Sequence, residues 1–301
     1  MVKFLINLFF VISMLFAPLK SFGAEPVKVT YIASIYFDSK GSGLKLPEGI
    51  ACNEKLLLVA DTGNNRLLRY IIENNAIKGG EEIKLPELSY PIRVQVNSRG
   101  EIFGIDSKQR RIARLNPEGA LLGFIELKEM PSPEAFMPRS FKIGYADNIY
   151  VLDILSERVV IIDLEGKYQK QIEFPKNYGF FSDLAIDSKG GILLMDTVGS
   201  MVYRASKDSK SFSPVTGNLK EYANFPTGIT TDNTGGIYLV DQNSGGILIL
   251  GQDGSFQTRL LSFGWDEGFL NYPTQLCING EGKMFITDRN NNRIQIFSLV
   301  K

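Results

Sequence analysis

Short apolar runs, five or six residues long, follow one another along nearly the whole chain and are separated by polar or glycine-containing turns. A representative stretch is 93–103, where two such runs meet at an Asn-Ser-Arg-Gly turn. Runs of this length, bounded by turn residues and rich in β-branched side chains, predict β-strands. The pattern therefore predicts an all-β fold and excludes an α/β fold.

The strand pattern repeats six times. In each repeat, a short run of β-forming residues ends in an aspartate, and successive aspartates are 43 to 47 residues apart. The six residues are Asp61, Asp106, Asp153, Asp196, Asp241 and Asp288. A period near 45 residues is typical of a β-propeller, in which each repeat forms one four-stranded blade. The sequence therefore predicts a six-bladed β-propeller of antiparallel blades.

A second marker stands 15 or 16 residues before each aspartate. It is an apolar or aromatic residue that is usually followed by proline: Leu46-Pro47, Tyr90-Pro91, Met137-Pro138, Phe181-Ser182, Phe225-Pro226 and Tyr272-Pro273. Proline suits the loop that enters an inner strand, because its φ is fixed and no ladder donor is needed there. The residue after this marker is therefore expected at the mouth of the central channel.

The two ends of the chain are expected to meet in one blade. The sixth repeat stops after its third strand, and a strand-like segment at 27–35 precedes the first repeat. A closed ring leaves few unpaired strand edges. We expect residues 27–35 to supply the outer strand of the last blade and to close the ring.

These residues resemble the NHL repeat. The best copies are 46–51 with 59–66, and 269–273 with 287–294. The resemblance extends over about residues 27–301 and implies a six-bladed propeller. It implies little about function, since a propeller is a scaffold for many unrelated sites. The chain is more distantly similar to gluconolactonase and regucalcin-like propellers, which hold a divalent cation over the channel with Glu, Asn and Asp.

Residues 1–23 have the pattern of a secretory signal peptide. Lys3 precedes an apolar run at 4–17, and the small residues Ser21 and Gly23 stand before the expected cleavage point. The run is shorter than the roughly 20 residues that cross a bilayer. We expect a secreted or periplasmic domain at 24–301 without stable membrane insertion after cleavage; whether the segment is cleaved or kept as an anchor is left open.

Charge and residue types exclude several functions. The chain has 33 basic and 33 acidic residues, which argues against nucleic acid as a partner. It has no histidine, which removes the commonest general base, every Ser-His-Asp or Cys-His arrangement and any imidazole-ligated metal site. Similar propellers that hold zinc through histidines, the peptide-amidating lyases, are therefore not a pattern this chain can follow.

The candidate ligand-binding residues lie at the channel mouth. Reading the position after each marker gives Glu48, Ile92, Arg139, Asp183, Thr227 and Thr274. Together with Arg93, the charged residues Glu48, Arg139 and Asp183 form the predicted site. A structural interpretation pairs the two carboxylates with Arg93 or Arg139. The favoured function is a binding or assembly module for a protein, peptide or glycan in the cell envelope, with no cofactor and no catalytic residue.

A metal-dependent lactonase-like hydrolase is the alternative. Glu48 and Asp183 match the two carboxylates of the gluconolactonase-like family, and their ligand would be one divalent cation such as calcium. Arg139 stands where that family has an asparagine. A fixed positive charge at this position would repel the cation.

The six aspartates are interpreted as structural. One aspartate per blade at a fixed place after a strand is what a repeated turn requires, because its carboxylate accepts hydrogen bonds from nearby backbone amides. Four repeats also carry an arginine five residues later, which can pair with a carboxylate in a bidentate way: Arg66, Arg111, Arg158 and Arg293.

The two cysteines leave two possibilities. Cys52 and Cys277 fall on the predicted first strands of blades one and six, which become neighbours when the ring closes. A disulfide there would suit an oxidising compartment. Their registers differ by one residue, however, which points them to opposite faces of their strands and favours two buried thiols.

Overall fold

The structure is a computed structural model and describes residues 27–73, 76–144 and 146–300. In these ranges, 24 strands form six antiparallel sheets of four strands each, so the chain is an all-β six-bladed propeller as predicted. The predicted signal peptide, residues 1–23, lies outside the described residues, and the domain boundary at residue 24 stays a prediction. Among the residues that are described, none belongs to a helix long and apolar enough to span a bilayer.

The first strand of the chain is β1 (Lys28–Ile35). Blade one consists of β2 (Gly49–Cys52), β3 (Leu56–Asp61), β4 (Arg66–Glu73) and β5 (Ala76–Ile83). Blade two consists of β6 (Pro91–Val96), β7 (Ile102–Asp106), β8 (Arg111–Leu115) and β9 (Leu121–Phe124). Blade three consists of β10 (Pro138–Ile143), β11 (Ile149–Asp153), β12 (Arg158–Ile162) and β13 (Tyr168–Glu173).

Blades four and five consist of β14 (Phe181–Ile186), β15 (Ile192–Asp196), β16 (Met201–Ala205) and β17 (Ser213–Pro214); and β18 (Pro226–Thr231), β19 (Ile237–Asp241), β20 (Gly246–Leu250) and β21 (Phe256–Leu260). Blade six consists of β22 (Pro273–Ile278), β23 (Lys283–Asp288), β24 (Arg293–Val300) and β1. Within the described ranges, three short 3-10 turns lie at Thr62–Asn64, Pro133–Ala135 and Arg289–Asn291.

The ring is closed as the sequence predicts. β1 pairs antiparallel with β24, from Lys28 opposite Val300 to Ile35 opposite Ile294. The first strands of successive blades contact one another around the ring, and β22 of blade six contacts β2 of blade one. The N-terminal strand therefore completes the C-terminal blade.

The hydrophobic core is divided among the six interfaces between blades. The described residues form six clusters of buried apolar side chains, and each cluster takes its members from two successive blades. The cluster at the closing interface joins Ile50 and Val59 of blade one to Phe285 and Ile294 of blade six. Each blade thus buries both faces, one against each neighbour, which explains why its inner strands are almost continuously apolar.

Each repeat aspartate ties the loop that enters a blade to the end of its second strand. All six are buried, and each accepts a hydrogen bond from a backbone amide 16 or 17 residues upstream: Lys45 to Asp61, Ser89 to Asp106, Met137 to Asp153, Gly179 to Asp196, Asn224 to Asp241 and Asn271 to Asp288. These bonds fix where each first strand begins.

Three of the four repeat arginines pair with their aspartate. The Nε–Oδ2 distances are 2.7 Å for Arg66–Asp61, 3.0 Å for Arg158–Asp153 and 2.6 Å for Arg293–Asp288. Arg111 is different: its guanidinium lies 3.3 Å from the Phe124 ring centroid and donates to the Glu87 carbonyl. In blade five, Arg259 of the outer strand takes the place of the missing repeat arginine, with Nη1 3.3 Å from Asp241 Oδ2.

Cys52 and Cys277 form a disulfide between blades one and six, with their Cα atoms 6.0 Å apart. The expectation of two buried thiols was therefore wrong. Each blade packs one face against the previous blade and the other face against the next blade. Blades one and six therefore contribute different faces to the interface that they share. A one-residue difference in register is what brings the two side chains into the same interface.

Candidate functional site

The candidate site is the end of the central channel where the first strands begin, which we name the entry mouth. A cavity of about 430 Å³ lies there, with lining residues from all six blades. They come from three repeat positions: the aromatic residues before the first strands (Tyr90, Phe180, Phe225, Tyr272), the starts of those strands (Glu48, Ile92, Arg93, Arg139, Ser182, Thr227, Thr274), and the residue after the repeat aspartate (Ser107, Thr197, Gln242, Arg289).

Glu48 is held by an arginine that the sequence analysis did not nominate. Arg289 Nε lies 3.2 Å from Glu48 Oε1, and its guanidinium lies 5.6 Å from the Tyr272 ring centroid. Arg93 and Arg139 were the expected partners of Glu48, but neither forms an ion pair with it. One rim of the entry mouth, at the seam between blades six and one, is therefore already charge-balanced.

Asp183 is buried in the channel wall and does not line the entry mouth. It accepts hydrogen bonds from Ser140 Oγ at 2.5 Å, from its neighbour Leu184 N at 3.0 Å and from Ile229 N at 3.2 Å. These donors lie in blades three, four and five. Asp183 therefore links three blades, and both of its oxygens are engaged.

The sequence alignment of blade four was wrong by one residue. Phe181 pairs with Asp196 just as Pro91 pairs with Asp106, so Phe181 occupies the proline position. The aromatic residue of the marker is Phe180, and the residue equivalent to Glu48 is Ser182. The physical reason is that blade four has no proline here, and its two consecutive phenylalanines, Phe180 and Phe181, both fit the aromatic position of the marker.

Arg93 lies inside the channel, close to Asp183. Its side chain is buried, its Nη1 donates to the Ile92 carbonyl at 2.8 Å, and its Nε lies 4.0 Å from Asp183 Oδ1. The same Nε is buried and has no hydrogen-bond partner within the described part of the chain. The predicted pairing of Asp183 with Arg93 is thus present as a long contact that leaves donor capacity on the arginine.

Arg139 has no ion pair or hydrogen bond to any described residue, and its Nε is buried. Burial lowers the pKa of Arg139, and the nearby Arg93 lowers it further, whereas Glu48 and Asp183 act in the opposite direction. A buried guanidinium without an acceptor is unfavourable, because its desolvation is not compensated. Arg93 and Arg139 therefore present unsatisfied donors and excess positive charge to the channel.

The side chains of the entry mouth do not fit a divalent cation. Both oxygens of Asp183 are used by donors, Glu48 is paired with Arg289, and Arg139 projects from the strand that would supply the third ligand. No group of three or more His, Cys, Asp or Glu that could hold a metal ion occurs among the residues with described positions. Calcium requires six to eight oxygen ligands, so this donor set is inadequate.

The sequence analysis missed the third repeat position that lines the entry mouth, the residue after the repeat aspartate. Ser107, Thr197, Gln242 and Arg289 each follow directly after a repeat aspartate. A signal was present, since the equivalent position can be read in every repeat. The repeat aspartate ends the second strand of its blade, and the residue that follows it lines the cavity.

Residues 270–297 match the family model of the NHL repeat, within blade six. No curated protein matches the chain. The solved structures similar to this chain include a catalytically inactive histidine-to-alanine variant of virginiamycin B lyase from Staphylococcus aureus with quinupristin (15% identity, TM-score 0.63), covering 91% of this chain and 100% of that one.

Two further similar structures are named as enzymes. A gluconolactonase from Xanthomonas campestris is 12% identical with a TM-score of 0.66, covering 92% of this chain and 95% of that one. A luciferin-regenerating enzyme is 12% identical with a TM-score of 0.64, covering 88% and 95%. At these identities, the likeness shows a similar overall fold and nothing about the reaction.

Proposed function

We propose that this propeller is a binding module of the cell envelope whose entry mouth holds an acidic group of a protein, peptide or glycan. The observation that carries the proposal is a pair of guanidinium groups at the entry mouth, Arg93 and Arg139, whose buried Nε atoms have no hydrogen-bond partner among the described residues. Export to the envelope rests on the predicted signal peptide at residues 1–23.

The charges in the channel favour an anionic ligand. The two carboxylates that act on Arg139, Asp183 and Glu48, are already engaged. The oxygens of Asp183 accept three hydrogen bonds, and Glu48 is paired with Arg289. An incoming carboxylate would satisfy the free guanidinium donors and offset the excess charge. Arginine suits this role because its planar fork binds a carboxylate through two parallel hydrogen bonds.

The surroundings of the arginines favour a ligand that is larger than a simple ion. Phe180, Phe225 and Tyr272 stand partly exposed around the opening. Aromatic side chains at such a rim provide large contact areas at low entropic cost. The loops that carry them are fixed by the repeat aspartates, so the opening is preorganised before a ligand arrives.

An enzyme is the alternative, supported by the similarity to gluconolactonase and virginiamycin B lyase structures. The inactive lyase variant lacks one histidine, and the present chain has no histidine at all. The lactonase alternative needs a cation between Glu48 and Asp183, where Arg139 is placed. These residues support binding over catalysis.

The test is a titration with poly-L-glutamate, with poly-L-lysine and an uncharged dextran as comparison ligands. The proposal expects saturable binding of poly-L-glutamate only, and at least a tenfold loss of affinity in Arg139→Gln. Arg99→Gln removes an exposed positive charge far from the entry mouth and should bind like the wild type. Equal binding by Arg139→Gln and Arg99→Gln would refute the site. Calcium-dependent lactone hydrolysis abolished by Glu48→Ala would favour the enzyme.

A further inference from the structure

A second cavity lies at the opposite end of the channel, where the first strands finish; we name it the far cavity. Its volume is about 460 Å³, and all six blades contribute to its lining. Its walls combine apolar side chains such as Ile143, Ile186 and Ile278 with the polar side chains of Gln95, Lys142 and Thr230. This volume is in the range of sites that bind small molecules.

Lys142 is a recessed cation to which no described residue provides a counter-ion. It lies on β10, four residues after Pro138, and forms no ion pair or hydrogen bond with any part of the chain that the structure describes. The surrounding blades cover much of its side chain, and burial lowers the pKa of its ammonium; Asp183 opposes this effect and Arg93 reinforces it. Buried charges are normally paired, so the absence of a partner here is unusual.

The carboxylates nearest to the far cavity are already engaged. Asp183 accepts its hydrogen bonds from Ser140 and two backbone amides. Asp147, at the rim, accepts from Ser98 N at 2.9 Å and Ser98 Oγ at 2.6 Å. By contrast, the side chains of Gln95 and Thr230 make no hydrogen bond to a described residue. Among the described residues that line the far cavity, Lys142 is thus a cation without an ion pair, and Gln95 and Thr230 have polar side chains without a hydrogen bond.

We propose that the far cavity binds a small carboxylic acid in its anionic form, with the carboxylate paired to Lys142 and an apolar body against Ile143, Ile186 and Ile278. A single ammonium balances a monoanion, and Gln95 and Thr230 supply further hydrogen bonds. A dianion such as phosphate would bring a second negative charge towards Asp147 and Asp183. The apolar wall favours a short hydrocarbon chain.

This proposal is independent of the function proposed for the entry mouth. The two cavities lie at opposite ends of the channel and share no lining residue. Arg139→Gln should therefore weaken binding of poly-L-glutamate at least tenfold and leave the far cavity unchanged. Substitution of Lys142 should have the reverse effect, so failure of one proposal can be told from failure of the other.

The test is calorimetric titration with hexanoate, using 1-hexanol as the uncharged ligand of equal length. We expect hexanoate to bind the wild type at least tenfold more tightly than 1-hexanol, and Lys142→Met to lose at least tenfold in affinity for hexanoate. Arg139→Gln should bind hexanoate like the wild type. Equal hexanoate affinity in Lys142→Met, equal binding of 1-hexanol, or displacement of hexanoate by an equal concentration of inorganic phosphate would overturn the proposal.

The pH dependence provides a second readout that does not rely on Lys142→Met folding normally. Only the protonated amine attracts a carboxylate, so hexanoate affinity should fall as pH rises through the lowered pKa of Lys142. The charged groups that act on this pKa are Asp183 and Arg93, and Asp147 lies at the rim of the far cavity. Lys142→Arg stays charged over that range and should bind hexanoate without this decline. A wild-type affinity independent of pH between 6 and 10, or the same decline in Lys142→Arg, would contradict the assignment.

Discussion

Removal of the Cys52–Cys277 disulfide should lower the melting temperature of the protein by about 9 °C. The two cysteines are 225 residues apart in sequence, so the bridge closes most of the chain into one loop. The chain-entropy relation gives about 5 kcal/mol for a loop of this length. With an unfolding entropy of about 2.1 cal/mol/K per residue, roughly 275 folded residues convert this energy into a shift of ~9 °C.

The assay is thermal unfolding of the wild type and of Cys52→Ala/Cys277→Ala, each with and without dithiothreitol. Alanine avoids placing a hydroxyl in the apolar cluster between blades six and one. Reductant should lower the melting temperature of the wild type and leave the double variant unchanged. A double variant that melts within about 2 °C of the oxidised wild type would refute the reasoning, because the loop entropy would then be absent.

Three further outcomes are expected. Asp183→Asn should reduce the free energy of unfolding by about 2–3 kcal/mol in urea titrations, because it weakens the hydrogen bonds by which a buried carboxylate joins three blades. Asp147→Asn, at the exposed rim, should reduce it by less than about 1 kcal/mol, and equal reductions would contradict the role of Asp183. Arg158→Ala should lower the free energy of unfolding by about 3 kcal/mol, because it leaves Asp153 buried without its cation. Arg111 has no such ion pair, so Arg111→Ala should lower it by about 1 kcal/mol, and a larger loss in Arg111→Ala than in Arg158→Ala would be inconsistent with the ion pairs. Burial alone would raise the pKa of Asp38, but hydrogen bonds from Ser42 N and Arg66 lower it below its ordinary value of 3.8, so stability should fall as pH drops below that value, and Asp38→Asn should remove part of this loss in acid unfolding curves.

The fold could be predicted from the sequence because its rules are local and repeated. The aspartate that ends each second strand and the marker before each first strand recur six times, and each occurrence supports the others. The closing strand could be predicted because the sixth repeat contains only three strand-like runs, and a further run precedes the first repeat. Both inferences depend on repetition and strand pairing, which a single sequence displays directly.

The candidate site was less predictable because it depends on contacts between blades. Arg289 reaches Glu48 across the closing seam, from 241 residues away in sequence. The disulfide depended on which faces of two blades meet, a property of the ring and not of either strand. The predicted position of Asp183 in the repeat was wrong by one residue, because blade four has no proline before its first strand. In each case, the error lay in relating one repeat to another.

The most direct test of the account is a crystal structure of the protein with triglutamate at the entry mouth. We predict a ligand carboxylate about 3 Å from the guanidinium of Arg139, within hydrogen-bonding distance of its free donors. A carboxylate bound away from both Arg93 and Arg139, or calcium held by Glu48 in crystals grown with that ion, would contradict the account.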